Sequence, residues 1–135
     1  MLRSILAVIV GSVLATVLIM GVQMIGHIFF PPPTDYASNP EVLDEYIQSA
    51  PPLALACPLI SYLIGAFCGG WLAAFLSTCR KMMVALMVGI ILLALGIWNL
   101  AMVPHPAWFT VLTVVIFLPA AYGGARMAIG KKVSE

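Results

Sequence analysis

The stretch PLALACPLISYLIGAFCGGWLAAFLSTCR, Pro52–Arg80, decides the fold. It carries no charge until its last residue, and about 20 such residues let a helix cross the roughly 30 Å hydrocarbon core of a bilayer. At about 100° per residue, Cys57, Ser61, Gly65, Cys68, Leu72 and Cys79 fall within roughly 80° of one another. Gly69 flanks that stripe and completes Gly65-x-x-x-Gly69, the spacing at which a second helix approaches closely in lipid. Leu59, Leu63, Phe67 and Leu76 mostly take the other faces. The expectation is a membrane-spanning helix that packs on its neighbours through Gly65 and Gly69.

The rest of the chain reads the same way. Of 135 residues, 63% are hydrophobic and 8% charged, and the mean hydropathy is +1.12. That is too apolar for a soluble domain of this size. Helices are expected over about 4–30, 52–79, 82–103 and 107–129, with one outer loop at 31–51. The runs are continuously apolar rather than alternating, which argues against a β-barrel. The expected fold class is an all-α membrane protein: four transmembrane helices in an up-down bundle, forming a single domain over 1–135. A short amphipathic helix sits in its outer loop.

Charge gives the orientation. With four spans, all six basic residues, Arg3, Arg80, Lys81, Arg126, Lys131 and Lys132, lie on one side. Asp35, Glu41, Asp44 and Glu45 lie on the other. The positive-inside rule then puts both termini and the Arg80–Lys81 turn in the cytoplasm. A formal net charge of +1 conceals an outer side near −4 and an inner side near +5 once Glu135 is included. So few cations at helix ends make no nucleic-acid surface. The first apolar run exceeds the roughly 7–15 residues of a signal-peptide core, and no small-residue cleavage site precedes Pro31, so it reads as a helix.

Within that first span Ala7, Gly11 and Ala15 form a second small-residue ridge, expected to meet Gly65 and Gly69. Ser12 and Thr16 beside it are expected to bond to their own backbone carbonyls. Pro31-Pro32-Pro33 stops the helix and makes a stiff exit. Asn39-Pro40-Glu41 then reads as cap, first-turn proline and first-turn acid. Val42, Leu43, Tyr46, Ile47 and Ala50 share one face of this helix, and Glu41, Asp44, Glu45 and Gln48 the other. An acidic face suits anionic lipid poorly, so packing on protein is the expectation. The Arg80–Lys81 turn is short enough to make the second and third spans antiparallel neighbours. The third span carries Gly89 and Gly96 on one face, and Pro119 is expected to kink the fourth. Cys57, Cys68 and Cys79 are spaced by eleven residues, about 16 Å along a helix, too far to pair with one another. They read as small packing residues.

Three pieces carry a family resemblance: Gly26-His27 leading into Pro31-Pro32-Pro33; Leu63-Ile64-Gly65-Ala66; and Pro104-x-Pro106-x-Trp108-Phe109 with Leu118-Pro119-Ala120 and Gly123-Gly124. Together they resemble a set of small bacterial four-helix integral membrane proteins with no settled activity. The resemblance implies a bacterial inner (plasma) membrane location. Chains of that set can carry a histidine in the second helix and an acid in the fourth, where this sequence has Tyr62 and Thr113.

No Asp, Glu or Lys falls inside a span, whereas buried ionisable groups usually mark ion and proton pathways. Only two histidines exist, which leaves no multi-histidine metal site within one chain. No catalytic residue, cofactor or metal ligand is therefore expected. The polar side chains gather instead in the outer half: Gln23, His27, Ser61, Asn99, Thr110 and Thr113. They form either a small cavity under the acidic helix or interhelical hydrogen bonds worth about 0.6 kcal/mol each. The first expectation for function is a non-enzymatic accessory or interaction subunit that meets a membrane-protein partner within the lipid bilayer. The alternative is a small-molecule carrier acting as a homo-oligomer, with Pro58 and Pro119 as hinges.

Overall fold

A computed structural model of the chain describes residues 1–130. Among them all regular structure is helical: α1 (Leu2–Phe29), α2 (Pro40–Ser49), α3 (Pro52–Leu76), α4 (Lys81–Met102) and α5 (Ala107–Gly130). α1, α3, α4 and α5 are each long and apolar enough to cross a membrane. Lys131, Lys132 and Glu135, which entered the charge argument, lie outside the described residues.

Helix ends follow local chemistry. α1 stops at the edge of the proline run, where the Phe30 N–H closes the last turn on the Gly26 carbonyl at 2.8 Å. Asn39 accepts the Glu41 N–H at 3.1 Å and Pro40 opens α2, because proline has no N–H to leave orphaned in a first turn. α3 is shorter than expected, ending at Leu76 rather than near 79. The Ser77 N–H bonds the Ala73 carbonyl at 3.1 Å, and its hydroxyl donates to the Cys79 carbonyl at 2.6 Å, which turns the chain. Arg80 follows at φ 50°, in the left-handed region, and α4 begins. Cys79 is thus exposed in a turn and does not belong to the small-residue stripe.

α3 packs on α1, α4 and α5. A Cβ added to Gly11 would lie 2.7 Å from the Gly69 carbonyl oxygen, and one on Gly69 would lie 2.6 Å from that of Gly11. Gly65 faces the Ala15 carbonyl in the same way at 2.9 Å, and Gly26 faces Cys57. Without side chains between them, two backbones come close enough for Cα–H···O contacts. Followed from Gly11 to Gly26, the partners of α1 run back along α3 from Ala73 to Cys57.

A second ridge on α3 was not anticipated. Tyr62, Ala66, Gly70 and Ala74 are also buried. Gly70 lies against the Ala121 carbonyl, and Gly124 of α5 lies directly on the Phe67 carbonyl. α3 is therefore buried on two faces. Leu59, expected on an outer face, is only 8% exposed, while Leu63 remains 46% exposed. α4 meets α5 at Gly89, against Ala121 and the Phe117 carbonyl, and at Gly96, against the Phe117 ring. α5 stays helical through Pro119. The Thr16 hydroxyl donates to the Ser12 carbonyl at 2.9 Å, but the Ser12 hydroxyl, expected to bond likewise, is buried without a partner among the described residues. At the end of the bundle away from α2, Arg3 Nε donates to the Leu76 carbonyl at 3.2 Å. A cation there suits the negative end of α3.

Candidate functional site

Where α2 lies over the ends of α1, α3 and α4, a cavity of about 440 Å³ forms. Three features hold α2 there. Pro32 and Pro33 stiffen its approach, Ile47 is buried at 6% exposure, and the Tyr46 hydroxyl donates to the Phe30 carbonyl at 3.2 Å. Its acids point elsewhere: Glu41 and Glu45 are exposed, and the Gln48 amide donates to Asp44 at 2.9 Å. Among the described residues no carboxylate, Lys or Arg lines the cavity.

The polar lining comes from Gln23 and His27 on α1, Tyr36 in the loop before α2, Tyr46 on α2, Asn99 on α4 and His105 in the α4–α5 turn. Gln23 Nε2 donates to Ser61 Oγ at 3.4 Å, and Ser61 Oγ donates to the Pro58 carbonyl at 2.6 Å. Asn99 Nδ2 donates to the Tyr62 hydroxyl at 3.4 Å. Both amide bonds are long for N–H···O contacts, whose usual range ends near 3.2 Å. Each primary amide carries a second N–H and a carbonyl, so both side chains have hydrogen-bonding capacity to offer a ligand. Leu43, Leu55 and Cys57 supply apolar wall.

His105 is half-buried between two prolines. Its Nδ1 lies 2.7 Å from the Val103 carbonyl. A carbonyl only accepts, so Nδ1 carries the proton and Nε2 of the neutral ring is left as an acceptor. The ring stacks on Phe109 at 4.5 Å between centroids. Burial lowers the His105 pKa, opposed by the bond to Val103, so the neutral form is favoured.

Of the six expected cluster residues, Gln23, His27 and Asn99 line the cavity, and Ser61 supports Gln23 from behind. Thr110 and Thr113 stand apart. Thr110 Oγ1 donates to the Pro106 carbonyl at 3.3 Å within the first turn of α5. Thr113 is 1% exposed, with its hydroxyl unpartnered. Tyr46, Tyr62 and His105 were not foreseen as members. Tyr62 was discoverable, because a buried tyrosine hydroxyl usually finds a partner and Asn99 lies at a matching depth. His105 sits between two prolines in the α4–α5 turn, and that turn borders the cavity.

Among the described residues no three His, Cys, Asp or Glu side chains stand close enough to hold a metal ion. No family model, curated protein or solved structure matches the chain.

Proposed function

We propose that the protein is a non-enzymatic integral protein of a bacterial inner membrane that binds a small molecule in the cavity beneath α2. Its four long helices cross the bilayer up and down, with both termini in the cytoplasm and α2 on the outer face. The observation that carries this reading is the cavity itself. Two regions distant in sequence, α1 and the end of α4 with the turn after it, bring Gln23, His27, Asn99 and His105 to one apolar-walled space of about 440 Å³. That size lies within the roughly 300–1,000 Å³ of small-molecule sites, which likewise combine apolar walls with a few polar groups. Sidedness is supported by Arg3, Arg80, Lys81 and Arg126 at the opposite end from the acids of α2.

Cys57 lines the cavity and provides the test. In a Cys68→Ser, Cys79→Ser background, a small membrane-impermeant maleimide should label Cys57 in intact cells whose outer barrier has been opened. An Ile47→Asp change, which loosens α2, should speed that labelling several-fold. Labelling only after the cytoplasmic side is exposed would reverse the orientation, and no labelling from either side would remove the open cavity.

An accessory or interaction subunit is the second reading. It is favoured by α1, where Ile5, Ile9, Val13, Val17, Met20 and Met24 form one face more than half exposed throughout. That face suits a partner helix or a second copy as well as lipid. Size in mild detergent separates the cases: a heteromeric complex supports the subunit, and a homodimer supports a carrier built on the cavity.

A further inference from the structure

Below the cavity a second, narrower space of about 210 Å³ runs between α1 and α4, lined in part by Thr16, Ile19, Leu92 and Leu95. Gln23 and Asn99 line both spaces, so the two amides stand at the junction. Residue chemistry changes across it. His27, Tyr46 and His105 lie on the α2 side; on the other, Ile19, Leu92, Leu95 and the Phe117 ring give a mainly apolar wall in which Thr16 and Tyr62 carry the hydroxyls. From the polar groups gathered at the cavity and this mainly apolar continuation, we infer that the ligand is an uncharged amphiphile. Its hydroxyl- or amide-bearing head is held at Gln23, Asn99 and His105, and its single apolar chain lies between α1 and α4. This inference rests on the ligand-binding reading above and names the class of molecule bound.

The geometry suits a chain that enters sideways. Leu95 is 56% exposed and Thr16 is exposed, so the crevice opens toward the lipid-facing side. A hydrocarbon chain entering there never leaves an apolar medium. Seven residues separate Gln23 from Thr16, about 10 Å of helix, which brings the crevice toward the middle of a roughly 30 Å core. Five residues back along α1 the space closes, because a Cβ on Gly11 would come within 3.2 Å of Val88. Val88 is fully buried. The crevice therefore has a floor. Its volume falls below the roughly 300 Å³ at which drug-sized pockets begin, leaving room for one slender chain.

The lining also selects the head. Among the described residues no carboxylate, Lys or Arg faces the cavity, so an ionised head would be desolvated without a counter-ion, which is costly. Gln23 and Asn99 each donate and accept, and neutral His105 adds an acceptor at Nε2. A hydroxyl or amide, which also donates and accepts, satisfies all three.

The test uses the full chain in nanodiscs and a monoacylglycerol carrying a diazirine near mid-chain. Two comparison probes bear the same chain on a phosphate head and on a quaternary ammonium head. The neutral probe should crosslink to the Thr16–Gln23 and Leu92–Asn99 segments, about tenfold more than either charged probe. The Gln23→Leu, Asn99→Leu double variant should lose about tenfold, the loss expected for roughly 1.4 kcal/mol of head contacts. Leu95→Trp narrows the crevice from its exposed side without removing a buried contact, and it should lower crosslinking even if the double variant folds poorly. Equal capture of a charged probe overturns the inference, as does crosslinking spread evenly onto exposed Val111 and Val115 of α5. If Cys57 is labelled from outside while no crevice crosslink forms, the amphiphile fails and the cavity stands. If neither occurs, both fall.

Discussion

His105 is the residue whose chemistry depends most on its surroundings. Burial lowers its pKa in the folded chain, below the value near 6.5 expected when unfolded. Between those two values the unfolded chain binds more protons, so stability rises with pH and is lost as pH falls. Thermal unfolding in detergent should therefore show decreasing stability from about pH 7 to about pH 5. His105→Gln should flatten that slope, and an undiminished slope in the variant would assign the effect to another group. His27 and Asn99 bear on binding instead. Both line the cavity while exposed, so His27→Leu and Asn99→Leu remove polar groups without opening the core. Each should abolish the cellular role at normal abundance and topology. If activity per molecule survives in both, the cluster has no binding role.

Helix pairing is decided by glycines, and the cost of changing them differs sharply with position. Gly11 and Gly69 each face the other's carbonyl oxygen at under 3 Å from an added Cβ, whereas nothing lies within 4 Å of one on Gly21. Backbone cannot yield as the tip of a flexible side chain does. Overpacking a tight contact costs about 1–3 kcal/mol or more. Gly11→Leu and Gly69→Leu should accordingly lower the folded yield and the unfolding temperature, while Gly21→Leu and Leu63→Ile change little. Fluorescence size-exclusion profiles of the four variants give the comparison, and uniform tolerance would place the Gly11–Gly69 contact in lipid. The second ridge of α3 shows what pattern reading misses at this scale. Ala66, Gly70 and Ala74 are uncharged like the exposed residues around them and break no apolar run. Hydropathy cannot tell a helix-facing alanine from a lipid-facing one, because lipid and helix interior are equally apolar.

For the whole molecule, sidedness is the sharpest expectation. Reporters at Ser38 should read external, and reporters at the Arg80–Lys81 turn and after Glu135 cytoplasmic. An external Glu135 would require an odd number of spans. What the amino-acid sequence determined by itself is local. Uncharged run length set the four long helices, Asn39 with Pro40 set the start of α2, and the proline run set the end of α1. Each of these depends on backbone groups a few residues apart, so each is written in contiguous residues. One such reading failed by a turn, at Leu76, because Ser77 bonds to the Cys79 carbonyl instead of continuing the helix. The tertiary structure alone decided that Gln23, Asn99 and His105 share a space while Thr110 and Thr113 do not. Depth along each helix was legible and a meeting of the Gly11 and Gly69 ridges was expected, but the rotation that also turns Gly70 to α5 was not. That rotation follows from which small-residue ridges meet, Gly11 with Gly69 and Gly70 with Ala121. Such pairings are chosen by close packing between segments far apart in the chain.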